Sequence, residues 1–66
     1  MKHLYIVYGK HREMKRFRPM DMKENDFVLN KIHASTFTES ELSDLKNEVN
    51  YMNDKNPHFT FEIRKS

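Results

Sequence analysis

The sequence predicts a small α+β domain, ordered β-β-β-α-β, with a four-stranded, mostly antiparallel sheet and one helix packed on one face. Three observations carry this. Thr38-Glu39-Ser40-Glu41 spells a capping box, with Phe37 before the cap and Leu42 at the fourth helical position, as in a hydrophobic staple. Leu42, Leu45, Val49 and Met52 continue one apolar stripe at helical spacing. Phe59, Phe61 and Ile63 then alternate with Thr60, Glu62 and Arg64, the pattern of a half-buried strand.

The elements follow in order. His3 to Tyr8 reads as a strand apolar on both faces, with Leu4, Ile6 and Tyr8 on one and Tyr5 and Val7 on the other. Such a strand belongs in the interior of a sheet. Gly9 to Lys15 reads as a basic turn, and Arg16 to Asp21 as a second strand whose Pro19 lacks a ladder donor. Met22 to Asp26 is a polar turn. Phe27 to Ala34 is the third strand, with Val28, Asn30, Ile32 and Ala34 on one face. The helix covers Glu39 to Met52, with Asn53 suited to a left-handed C-cap and Asn56-Pro57 preventing continuation. Phe59 to Arg64 is the last strand. A meander of three strands and a right-handed crossover give the sheet order 4-1-2-3, with the fourth strand parallel to the first.

Sixty-six residues make a single domain, 1–66, near the lower size limit for a core without disulfides or metal. The absence of cysteine excludes a disulfide framework and thiolate metal sites, and the cytoplasm is the expected compartment. Leu4 to Tyr8 is too short for a signal-peptide core or a membrane span. Charge is segregated along the chain. Residues 1–23 carry a net +5 and residues 24–54 a net −5, so the domain either has two unlike surfaces or brings opposite charges together within the fold.

Nothing in the sequence assembles a catalytic or cofactor site. His3, His11, His33 and His58 lack metal-ligand spacing, and His33 with Ser35 lacks an orienting carboxylate and an oxyanion-forming turn. A single glycine cannot build a phosphate-cradling loop. The expectation is no enzyme, no cofactor and no metal.

Three surfaces remain as candidates for binding. Lys10, Arg12, Lys15, Arg16 and Arg18 form a basic segment able to neutralise phosphates, with Phe17, Tyr5 or Tyr8 as stacking faces, although no RNP1-like pattern accompanies them. The bland reading is a solvated turn. Glu41, Asp44, Glu48 and Tyr51 share a helix stripe suited to a basic groove of a partner, and the bland reading is a solvated face. Tyr5 and Val7, with part of the Phe27/Leu29 set, are expected on the sheet face away from the helix. Either a partner protein or a second copy in a homodimer covers that face, or the chain's own Lys and Arg stems do.

Three segments together carry a resemblance: Phe17-Arg18-Pro19-Met20-Asp21, Asn30-Lys31-Ile32-His33-Ala34-Ser35-Thr36-Phe37, and Asn56-Pro57 leading into Phe61-Glu62-Ile63-Arg64. They resemble small uncharacterised proteins of phages and mobile elements of low-GC Gram-positive bacteria. The resemblance implies a protein that binds and redirects a host machine, in the manner of anti-CRISPR proteins, and it carries over no catalytic residue. The expected function is therefore a non-catalytic, phage-encoded binding protein that inhibits or modulates a host protein or nucleoprotein complex. The alternative is a nucleic-acid-binding module built on the basic segment, and a small enzyme ranks third.

Overall fold

A computed structural model describes residues 4–66; His3, expected to open the first strand, lies outside the described residues. The strands are β1 (Tyr5–His11), β2 (Arg18–Asp21), β3 (Asp26–Phe27) and β4 (Phe59–Lys65), and helix α1 spans Leu42–Lys55. One 3-10 turn, Lys31–His33, follows β3, and a second, Glu39–Glu41, leads into α1. The sheet order is β3-β2-β1-β4, as the sequence predicts.

Every neighbouring pair is antiparallel, including β1 with β4, which corrects the expected parallel crossover. The cause lies in the third strand, which ends after two residues instead of running to Ala34. Asn30 pulls the backbone off the ladder: its side-chain oxygen accepts from the Ile32 amide at 3.1 Å and its carbonyl from the His33 amide at 3.0 Å. Such side-chain turns compete directly with strand pairing. Leu29 and Ile32, expected in that strand, stand 90% and 76% exposed. The chain then returns to the start of β1, where Phe37 and Tyr5 exchange backbone hydrogen bonds of 2.8 and 2.9 Å. Helix α1 therefore starts at the Tyr5 end of the sheet, and β4 enters at the other end, with Phe59 opposite His11. It has to run antiparallel to β1.

Two further boundaries shift. β1 continues through Gly9 and Lys10 to His11, so Gly9 lies within the ladder and the turn begins at Arg12. A Cβ on Gly9 would meet Met20 Sδ at 2.8 Å and Phe61 Cδ1 at 2.9 Å. Glycine here lets two core side chains close over the backbone. β2 starts at Arg18, and Pro19 is tolerated between β1 and β3 because its free side falls where β3 has ended; its carbonyl accepts from the Val28 amide at 2.9 Å.

The helix entry uses the expected residues, but Glu39–Glu41 form a 3-10 turn and α1 starts at Leu42. The Glu41 carboxylate accepts from the Thr38 amide at 2.9 Å, and Phe37 and Leu42 both pack on the core. The Thr38 hydroxyl lies in the capping-box arrangement, but its hydrogen bonds go to the Glu41 carboxylate at 3.0 Å and the Ser40 hydroxyl at 2.9 Å. At the other end α1 runs past Asn53 to Lys55. Asn56 is the cap, with its amide and side chain both donating to the Met52 carbonyl.

The core sits between α1 and one sheet face: Tyr5, Val7, Met20, Leu45, Val49 and Phe61 are buried together. This corrects the placement of Tyr5 and Val7, which lie under the helix, 8% and 0% exposed, and present no open surface. Alternation along β1 puts Leu4, Ile6, Tyr8 and Lys10 on the opposite face. There the Arg64 guanidinium lies 4.6 Å from the centre of the Tyr8 ring and 5.1 Å from that of Phe17. An arginine stem and its stacked aromatics thus cover part of the face that the helix leaves open.

Candidate binding groove

Two adjoining hollows run between α1 and the turn joining β2 to β3. The first is floored by Met20, Phe27, Phe59, Phe61 and Met52, and edged by Asn25, Asp26, Glu48, Tyr51 and Asn56. The second is lined by Met22, Phe37, Leu45, Asn25, Glu41, Asp44 and Glu48. Asn25 and Glu48 line both, so the hollows meet where the turn approaches the helix. Asn25 adopts a left-handed backbone, φ 52°, which asparagine tolerates better than most side chains. That conformation closes the four-residue turn Met22–Asn25.

The floor is aromatic. The Phe59 and Phe61 rings are stacked, 5.8 Å between centroids, and Phe27 stacks on Phe59 at 6.3 Å. His11 meets the Phe59 ring edge-on at 4.8 Å, with His58 6.3 Å from His11.

The rim is acidic. All four residues of the helix stripe, Glu41, Asp44, Glu48 and Tyr51, border the groove. Among the described residues, the one ion pair between an arginine or lysine and a carboxylate joins Arg64 to Glu62, so Asp44 and Glu48 have no cationic partner there. The Glu41 carboxyl titrates below its ordinary range, chiefly because the Thr38 amide donates to it and then because the Thr38 hydroxyl does. Behind the rim, the Tyr5 hydroxyl donates to Glu39 at 3.3 Å. Its pKa is raised, first by desolvation and then by the neighbouring Glu39 charge.

The basic segment is separate. Lys15, Arg16 and Arg18 are exposed and surround a shallow depression with Met14, which shares no residue with the groove. Arg12 is exposed in the β1–β2 turn, and Lys10 lies on the sheet face opposite the helix. The charge segregation of the sequence therefore becomes two distinct surfaces.

Ser35 is occupied structurally, accepting from the Met22 amide at 3.0 Å and donating to Asp21 at 3.3 Å. Among the described residues, no three histidine or acidic side chains converge as a metal site, and no helix is long and apolar enough to cross a membrane. The groove residues that sequence reasoning missed are Asn25, Asp26 and Asn56 on the rim, with Met20 and Met22 on the floor; Phe27, expected on the face away from the helix, packs against the core on the helix side. An Asn-Asp pair between two strand-like runs is a turn signal that could have indicated the rim. No protein-family model matches the chain, and no curated protein or solved structure does so either. Fold and site together define a small α+β domain with an aromatic-floored, acidic-rimmed groove.

Proposed function

We propose that this chain is a non-catalytic binding protein that inhibits or modulates a host protein or nucleoprotein complex. The observation that carries the reading is the groove along α1, where exposed carboxylates border an aromatic floor. An apolar centre edged by polar groups is the anatomy of a protein–protein contact. The resemblance to small phage and mobile-element proteins supports a cytoplasmic host target. Affinity capture from a Gram-positive host lysate, read by mass spectrometry and followed by an assay of the captured machine, tests this. Enrichment of one host complex whose activity falls on adding the protein is the expected result.

The exposed cluster Lys15, Arg16 and Arg18 favours a second reading, a nucleic-acid-binding module. Salt-dependent retention of DNA or RNA separates it from the first.

A further inference from the structure

We infer that the groove takes a basic, amphipathic segment of a partner protein, with its apolar side chains on the Phe27–Phe59 floor and its lysines or arginines on Asp44 and Glu48. This rests on the protein-binding reading above and names the chemistry of the partner. Charge complementarity selects the occupant. Asp44 and Glu48 are exposed, one helical turn apart, and mildly repel each other. A cation held between them relieves that repulsion, and a nucleic acid or an acidic peptide would add to it.

The floor requires more than charge. Phe27 and Phe59 are only half-buried, and their stacked rings present area that an aliphatic or aromatic side chain would cover. Ring faces also attract cations. At the groove's end the chain's own Lys55 ammonium already lies 5.7 Å from the centre of the Tyr51 ring. A purely cationic ligand would satisfy the rim and leave the floor wet.

The same argument disfavours a second copy that docks by its basic loop. Its basic loop would have to supply Met14 and Phe17 as the apolar contacts, and both are engaged at home. Met14 Sδ accepts from the His11 amide at 3.2 Å, and Phe17 lies 5.1 Å from the Arg64 guanidinium. Through that loop a second copy could therefore offer cations to the rim without filling the floor; its exposed Leu29 and Ile32, which flank Lys31, are the apolar contacts that the sedimentation arm below tests.

The test uses fluorescence anisotropy with a short dye-labelled peptide alternating lysine and leucine, beside all-lysine and glutamate–leucine controls at physiological salt. The lysine–leucine peptide should bind at least about tenfold more tightly than either control. Asp44→Lys with Glu48→Lys should weaken it at least about tenfold, and Tyr51→Ala a few-fold, each with an unchanged urea midpoint. Equal binding of the all-lysine peptide, or full affinity in the charge-reversed variant, overturns the inference. So does salt-sensitive dimerisation in sedimentation that the charge reversal abolishes, because a second copy would then fill the groove. Capture from host lysate with wild type and variant distinguishes the two levels. A partner held by both leaves the binding function intact and overturns the groove; a wild type that holds nothing overturns the binding function itself.

Discussion

The side chain of Asn53 hydrogen-bonds both backbone groups of Phe61: the Phe61 amide donates to Oδ1 at 2.7 Å, and Nδ2 donates to the Phe61 carbonyl at 3.0 Å. β4 is an edge strand, and Phe61 presents these groups outward, away from β1. The asparagine stands in for the missing neighbouring strand. It ties α1 to the sheet and caps the edge where an intruding chain would pair. Asn53→Ala should therefore destabilise by about 1–3 kcal/mol and promote aggregation. Urea melts and light scattering check this. Asn53→Asp, which can accept but not donate, should fall between wild type and alanine.

Gly9→Ala should cost about 1–3 kcal/mol through overpacking, because the new methyl meets Met20 and Phe61. Met20 can shift its flexible end, whereas Phe61 is stacked on Phe59. Combining Gly9→Ala with Met20→Ala should thus give a loss smaller than the sum of the single losses. A strictly additive pair in chemical denaturation would mean that the ring, not the thioether, sets the limit.

Asn53 and Gly9 also show where sequence reading stops. The capped helix, its apolar stripe and the alternating last strand were legible because period and capping chemistry are local. The acidic stripe was legible for the same reason, since helical spacing alone aligns Glu41, Asp44 and Glu48. The hairpin wall of the groove was not. It depends on the third strand breaking at Asn30 and on Asn25 turning left-handed, where asparagine side chains replace backbone partners. Periodicity does not register that substitution. The two-faced character of β1 was legible, but which face the helix would take was not, because β1 alternates apolar residues on both sides.

Val7 gives the sharpest contrast with the open-face expectation. It is fully buried beneath α1, so Val7→Thr places a hydroxyl in the core at a cost of about 1–3 kcal/mol. Leu45→Ala should cost about 2–5 kcal/mol. Tyr5→Ser combined with Val7→Thr should unfold a domain this small, whereas open positions would tolerate both changes. Circular dichroism of the purified variants decides.

The helix start predicts a pH signature. Glu41 has a lowered pKa in the folded state, so its contribution is present above the unfolded value, about 4.3, and is lost as pH falls through the lower folded value. Glu41→Gln should melt at lower urea than wild type at neutral pH, and the gap should close in acid. A gap that stays constant with pH would place the effect in packing. Thr38→Ala should cost about 1 kcal/mol or less, because its backbone amide still donates to Glu41.

The basic surface makes the last prediction. Lys15, Arg16 and Arg18 are exposed, and among the described residues none of them forms an ion pair. If they hold a phosphate backbone, affinity falls steeply with salt as released counterions are repaid. Arg16→Glu with Arg18→Glu should then abolish binding without changing the fold, since neither side chain supports the core. For a protein whose partner is a basic polypeptide, the opposite holds. The double reversal leaves capture intact, and retention is lost on reversing Asp44 and Glu48 instead. Gel shifts at low salt with DNA and RNA, run beside capture with both variants, separate the two surfaces. Loss of capture only on the Arg16/Arg18 side would transfer the binding function from the groove to the β1–β2 turn.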